Sequence, residues 1–418
     1  MQISKTTKKQ HVNISIPKEV VVEILQRVPC KDLCETLKNV CMQWCSIIYS
    51  GSFAYSHVEC EILKASSSFS QLEAVVIDMT NGGCSITVSA LEWHSSFPNY
   101  PSDEKWDTKF MYRLDDVFDH PRIMITVNSV NGFVCFWSCN ARLHVCNPLT
   151  EEYFTTPSYT YENNTYVPLC LAAVGFGFCQ LSYEYKVIVL HDYSDAGFEY
   201  VETKTLVFTV GTDRSWRSLK AIRDRKFHSR HEQGANVKGV IYWYMKSLTL
   251  PLCRSKSIKS LVCFDVCKEE VFTTMVPAEL DSLEEGNRYV TRIVEKGGNL
   301  CLVKISYGPI CSLLIKVYIA DTRNDLSSFN SWKNELNVTL PNMAYNINMT
   351  EWFISYVTDD ILVIQIRCES VIFIDVPTGM LLSVFPLCSS VIVIPYVPSL
   401  FRKDEIIRVN NAILCIMI

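Results

Sequence analysis

Residues Ile16–Phe53 read IPKEVVVEILQRVPCKDLCETLKNVCMQWCSIIYSGSF, and the rest of the chain is organised around them. Pro17 stands where a helix tolerates its missing N–H. Val20, Val21, Ile24, Leu25 and Val28 then recur at helical spacing and form one apolar face. Pro29 biases the residue before it away from helical angles and stops that helix. Lys31–Val40 reads as a second short helix with a stripe of Leu33, Leu37 and Val40. Cys41–Tyr49 reads as a third, with Trp44, Ile47 and Ile48 inward. A unit this small is marginal by surface-to-volume scaling, so part of its apolar surface is left for a neighbour. That neighbour is either a partner protein or the rest of the same chain.

Downstream, a short β-unit recurs. A glycine precedes an apolar strand in Asn131-Gly132-Phe133-Val134-Cys135-Phe136-Trp137, in Lys238-Gly239-Val240-Ile241-Tyr242-Trp243, and in Gly297-Gly298-Asn299-Leu300-Cys301-Leu302-Val303. Asp359-Asp360 takes the same place before Ile361–Ile364. A second strand, a polar turn and a closing aromatic or proline follow each time, as in Leu261–Glu269 leading to Phe272 and Pro277. The units start roughly 55 to 65 residues apart, a period that signals an array of small sheets burying their faces on one another. Four short strands per unit point to a propeller. Five units are legible after Thr126, and Ala74–Leu91 adds or closes another. Glu92–Pro121 reads as a long loop packed by its own aromatics.

These two patterns carry a family resemblance. The first stretch resembles an F-box, through Ile16-Pro17, Val20–Leu25, Val28-Pro29, Leu33, Val40-Cys41, Trp44, Ile47-Ile48 and Ser52-Phe53. The second region resembles the kelch-like F-box-associated domain of plant F-box proteins. Its carriers are Val130-Asn131-Gly132, Asn147–Thr150, Val174–Phe178 with Tyr185–Val187, Ser215–Arg217, Gly239–Trp243, Phe264-Asp265 and Tyr396–Leu400. The fold class so expected is α+β multidomain, a three-helix F-box followed by an all-β propeller array. Its divisions are a frayed tail over 1–15, an F-box over 16–60, a connector with the first β-elements over 61–125, the propeller over 126–405, and a tail over 406–418. The resemblance implies a substrate-recognition subunit of an SCF-type (Skp–cullin–F-box) ubiquitin ligase. Such a subunit is non-catalytic and uses no cofactor or metal. Its F-box holds a Skp-type adaptor, and through it cullin and RING subunits, while the β-domain holds a target protein. The residues implied for the adaptor are Ile16, Pro17, Val20, Ile24, Leu25, Val28, Pro29, Leu33, Val40, Cys41, Trp44 and Ile48. A scaffold without the adaptor, or an oxidase on a kelch-like scaffold, are the competing readings.

Composition fits an interaction protein. At 418 residues, 48% hydrophobic and with a formal net charge of −5, the chain supports a large core and lacks the basic footprint of a nucleic-acid binder. Its nineteen cysteines are scattered singly through apolar runs and read as reduced, buried thiols of the cytoplasm or nucleus. The pairs Cys30/Cys34, Cys135/Cys139 and Cys263/Cys267 lack the second pair a zinc site needs, and His228 and His231 read as a solvated loop. The apolar windows Ile361–Ile374 and Leu381–Val397 are interrupted by Arg367, Glu369, Pro386 and Pro395. They read as buried strands, not membrane spans. Gly175-Phe176-Gly177 reads as a strand bend rather than a dinucleotide loop. Tyr159–Tyr166, Asp192–Val201 and Arg223–Gln233, polar and aromatic-bearing, are the candidate target-contact loops.

Overall fold

A computed structural model describes residues 16–67, 73–79, 86–92, 111–114, 125–138, 141–150, 152–159, 171–194, 201–219, 222–223, 226–227, 232–248, 258–281, 289–308, 312–340, 352–357, 361–366, 370–386 and 390–401. The chain begins with a helical module. Helix α1 covers Lys18–Leu25, α2 Cys30–Glu35, α3 Met42–Ile48 and α4 Gly51–Ser67. The second helix is shorter than its apolar spacing suggests. Thr36 departs from helical geometry at φ −115°, and Leu37–Asn39 continues only as a 3-10 turn. Helix α4 runs on into the start of the stretch read as a connector over 61–125. Phe53, Ala54, His57 and Val58 are buried at helical spacing and supply its inward face. Two polar contacts fix α4 on α1: Gln26 Nε2 donates to Ser56 Oγ at 2.8 Å, and His57 Nε2 lies 2.8 Å from the Val28 carbonyl.

Six sheets form among the described residues, and they make a β-propeller. In order along the ring, sheet 1 holds Ser390–Tyr396, Glu73–Met79, Ile86–Glu92 and Met111–Leu114. Sheet 2 runs from Ile125 to Thr155, sheet 3 is built on Leu171–Thr209, and sheet 4 on Ala235–Met275. Sheet 5 runs from Tyr289 to Leu340 and sheet 6 from Trp352 to Pro386. The strand Met111–Leu114 lies inside the stretch read as one long loop, and it pairs with Ile86–Ser89.

The glycines that mark each unit sit in two-residue hairpins. Asn131-Gly132, Lys238-Gly239 and Gly297-Gly298 all have positive φ at both central positions, which suits the twist of the strands they join. Gly132 has a second duty. A Cβ there would lie 2.3 Å from Ser399 Oγ, so glycine lets the C-terminal segment pass. Gly175 is not at a bend. It lies within strand Leu171–Cys179, where the missing Cβ admits the Trp243 ring of sheet 4.

The ring is closed by the end of the chain. Ser390–Tyr396 pairs antiparallel with Glu73–Met79 over their whole length, Glu73 opposite Tyr396. Beyond this strand, Asn147 Nδ2 donates to the carbonyls of Ser399 and Phe401, both at 2.9 Å. Its Oδ1 accepts from Leu149 N at 3.1 Å and from Tyr396 at 3.3 Å, so this fully buried amide is satisfied on both sides.

Sheets 3 and 4 carry a polar fastening between them. Arg217 meets Glu269 as a fork, Nη1 to Oε2 at 2.6 Å and Nη2 to Oε1 at 2.8 Å. The buried Lys186 ammonium reaches the same carboxylate at 2.8 Å and the Val266 carbonyl at 3.1 Å. Beside them Cys179 and Cys267 form a disulfide across a sequence separation of 88. This corrects the expectation of wholly reduced thiols. Cys267 pairs across the sheets rather than with nearby Cys263, because adjacent sheets bring the two Cα atoms within 4.9 Å. Cys135, Cys146, Cys263 and Cys301 are free and buried, as small hydrophobes.

One apolar window is not buried. Leu381–Pro386 is the last strand of sheet 6, and Leu381, Leu382 and Val384 are exposed, whereas Ile361–Ile366 is buried throughout. No helix among the described residues is long and apolar enough to cross a membrane.

The Arg217 hydrogen bonds, then Lys186, hold the Glu269 carboxyl at about 2, below its usual 4.5. A depressed carboxylate contributes stability that is complete above the unfolded value and is lost as pH falls through the folded one. Glu269→Gln is therefore expected to cost about 1–2 kcal/mol near neutral pH, a modest sum because solvent screens part of the pair. It should also flatten the fall in stability below about pH 4.5. Urea denaturation of both proteins at neutral and acid pH checks this; parallel pH profiles would contradict it.

Candidate functional site

The candidate site is the outer face of the helical module. Helix α1 begins after Pro17, whose carbonyl accepts from Val20 N and Val21 N, both at 3.1 Å. Its eight residues KEVVVEIL carry apolar side chains on two sides. Val21 and Leu25 point inward and are buried, while Val22 and Val28 pack at the margin of the same core. Ile16, Val20 and Ile24 recur at four-residue steps on the other side, 52%, 43% and 48% exposed. Residues four apart lie one above the other on a helix, so these form a ridge in solvent.

A second apolar exposure lies where α2 passes to α3. Val40 is 57% and Met42 90% exposed. Cys41 between them is exposed, and its Sγ accepts from Trp44 N at 3.5 Å to cap α3. Pro29 is exposed as the cap residue of α2. Trp44 is half-buried against the core.

The structure thus divides the sequence-derived set. Ile16, Pro17, Val20, Ile24, Pro29, Val40 and Cys41 face solvent; Val28 and Trp44 are half-buried. Leu25, Leu33 and Ile48 are fully buried, and for these three a surface role is replaced by a core role. They fall on the inward side because the module must bury one apolar stripe per helix. Met42 was outside that set. Its signal was available in the sequence, an unbranched apolar side chain directly after a helix cap.

The module rests on the propeller through a continuous core. Val21, Leu25, Leu33, Ile48 and Val58 belong to the same buried cluster as Phe133, Phe178, Tyr185, Leu400 and Phe401. Tyr55 on α4 stacks edge-on to Tyr183 with ring centroids 5.5 Å apart and lies 6.2 Å from Phe178. Burial, then the hydrogen bond that its hydroxyl donates to Glu59, pushes the Tyr55 phenol up to about 12, so it stays a neutral ring at physiological pH. Cys34 Sγ lies 3.8 Å from the Leu149 carbonyl.

These contacts fix an orientation. In an antiparallel sheet successive turns alternate between its two ends. The turns that touch the module, 148–150 of sheet 2 and 180–183 of sheet 3, lie at one end. The opposite end carries the strand ends at Thr155, Ser194 and Leu248. Of the three candidate target-contact loops, the described flanks at Tyr159, Asp192–Ser194, Val201, Arg223 and Glu232-Gln233 lie at that end. Strand Ile222–Arg223 pairs with Glu202-Thr203 and Glu232-Gln233 with Ala173-Val174, at strand ends remote from the module. Residues 160–166, 195–200, 224–225 and 228–231, with His228 and His231, lie outside the described residues.

A family description, F-box associated beta propeller domain, matches residues 86–370. A putative F-box protein of Arabidopsis thaliana is 26% identical over 265 residues, covering 62% of this chain and 74% of that one. A second is 27% identical over 270 residues, covering 63% and 60%. A third is 22% identical over 342 residues, covering 81% and 82%. The family match begins after the helical module, so the module's own character rests on its residues and geometry.

Tyr55→Ala is expected to loosen the module from the propeller without unfolding either, at a cost of about 1–2 kcal/mol. Limited proteolysis should then cut between α4 and the first strand faster than in wild type, with unchanged far-ultraviolet circular dichroism. An unchanged cleavage rate would contradict this packing.

Proposed function

This chain belongs to the plant F-box proteins with an F-box associated beta propeller domain, and on that premise we propose that it is a substrate-recognition subunit of an SCF-type ubiquitin ligase. The coarser part of this reading, a substrate-adaptor role, follows from the family. The finer part concerns residues. Ile16, Val20 and Ile24, with Val40 and Met42, dock a Skp-type adaptor, which links the chain to cullin and RING subunits. The observation that carries this is the α1 ridge, three large apolar side chains in solvent beside a core that Val21 and Leu25 already fill. A helical ridge of this kind lays into an apolar groove on a partner. Exposed clusters of large apolar groups on a folded module mark such interfaces.

The propeller holds the target on the end away from the module. The protein does no chemistry itself. It holds a target lysine close to a charged ubiquitin-conjugating enzyme, and proximity raises effective concentration without any new catalytic group. The complex works in the cytoplasm or nucleus.

The test is co-expression with a plant Skp-type adaptor and affinity capture. Val20→Glu combined with Ile24→Glu places charge on the ridge and leaves the core intact. Capture should fall roughly tenfold or more, as for loss of central interface anchors, with an unchanged melting profile. A folded double variant that retains the adaptor at wild-type level overturns the assignment. Trp44→Ala is a poorer probe, since Trp44 packs on the core and its loss costs stability as well.

A further inference from the structure

The joint between sheets 3 and 4 lies at the propeller end that carries the helical module. Cys179 closes strand Leu171–Cys179, Cys267 lies in the turn after Ile258–Asp265, and their sulfurs are bonded. Two further fastenings share the joint. Lys186 and Arg217 of sheet 3 both meet Glu269 of sheet 4. The Trp243 ring fills the space at Gly175, and its Nε1 donates to the Val174 carbonyl at 2.9 Å.

Neither of these uses a sulfur atom, so the sheets stay together when the disulfide opens. The turn that bears Cys267 is also held without it. Asp265 Oδ1 accepts from Cys267 N at 3.0 Å and from Lys268 N at 2.9 Å. Val266 N donates to the Gly239 carbonyl at 3.0 Å, and the Lys186 ammonium donates to the Val266 carbonyl at 3.1 Å. On the other side the strand of Cys179 pairs with Glu184–Ser194, Cys179 opposite Glu184. Two thiols released here remain neighbours at high effective concentration, and an oxidant joins them again.

Access to the two sulfurs is unequal. Cys179 is buried in the core of sheets 3 and 4, whereas Cys267 is half-buried at its margin. An external thiolate therefore reaches Cys267 first, and access decides which sulfur is attacked.

The disulfide also borders the seat of the module. Phe178, next to Cys179, lies 6.2 Å from the Tyr55 ring of α4. The 180–183 turn that follows ends in Tyr183, 5.5 Å from the same ring. Tyr183 stands at φ +56°, a left-handed conformation uncommon outside glycine, so this turn depends on how its ends are anchored. Cys179 is one of those ends.

We propose that Cys179 and Cys267 form a reversible thiol–disulfide exchange site for low-molecular-weight thiols of the glutathione class, and that its state sets how firmly the helical module is seated. This goes beyond the proposed function and does not rest on the adaptor assignment. In opening, an external thiolate attacks Cys267 Sγ. The Cys179–Cys267 bond breaks, and its electron pair leaves on Cys179 Sγ, which takes up a proton. A second external thiolate attacks the external sulfur of the mixed disulfide and releases Cys267, which is protonated in turn. The protein gains two electrons and two protons, and the two external thiols become one disulfide. Closure is the reverse, with the external disulfide as oxidant. Once open, the strand end at Cys179 loses its covalent tie to sheet 4, and the 180–183 turn yields beneath Tyr55.

The test equilibrates the full-length chain with reduced and oxidised glutathione at a series of ratios, then quenches with acid and alkylates free thiols. Mass spectrometry reads the Cys179–Cys267 linkage, and hydrogen exchange at the same ratios reads α4. The linkage should pass from closed to open within the series, with unchanged circular dichroism. Exchange in α4 should be roughly threefold or more faster in the open form. Cys179→Ser combined with Cys267→Ser should exchange at the open rate at every ratio, which separates this pair from the other cysteines. If that double variant does not fold, Cys267→Ser alone, which leaves the buried Cys179 in place, carries the same comparison. A linkage closed at every ratio, a linkage open at every ratio, or equal α4 exchange in the two forms overturns the proposal.

Discussion

The pairing of Ser390–Tyr396 with Glu73–Met79 is the constraint on which the rest depends. Sheets 2, 5 and 6 run in sequence order from their first strand. In sheet 1 that place is taken by the last described strand. Without it, sheet 1 would offer an open edge, and a ring with an open edge presents unpaired backbone to any passing strand. Closure also positions Ser399 and Phe401, which Asn147 then holds through two backbone acceptors. Leu400 and Phe401 enter the core that carries the helical module. One strand pairing thus secures both the ring and the seat of the module. It comes at the cost of closing a loop of about three quarters of the chain, which slows folding more than it lowers stability.

The module, once seated, defines two ends. Its contacts go to the 148–150 and 180–183 turns, while the strand ends at Thr155, Ser194 and Leu248 lie at the other end. The ridge of Ile16, Val20 and Ile24 remains outside the shared core. Among the described residues none of these three belongs to the core shared with the propeller, so apolar surface is left at the module end. A bridging protein needs this separation, since two partners must bind at once without competing for surface.

Much of this was legible in the chain. Helix α1 follows from the spacing of Val20, Val21, Ile24, Leu25 and Val28, and the repeat of glycine-led strands indicates the propeller. What periodicity does not separate is the side of α1 that meets the core from the side that meets solvent, because both are apolar. Hence Leu25, Leu33 and Ile48 stood beside Val20 and Ile24 as equals. The closing strand was equally hidden, since Glu73 and Tyr396 share no local signal. The same is true of Cys179 and Cys267, which only the meeting of two sheets brings together. Helix α4 was missed for another reason: Tyr55, His57 and Cys60 are weak helix formers, and its helicity comes from packing on α1. Leu381–Pro386 shows the converse, a run apolar enough to be buried that forms an exposed outer strand.

Hydrogen exchange of the full chain with and without a Skp-type adaptor tests the central claim most directly. Adaptor docking on the outer ridge predicts slowed exchange across α1 and around Val40–Met42, with the propeller strands unchanged. Protection confined to the propeller, or none in the module, would contradict the account.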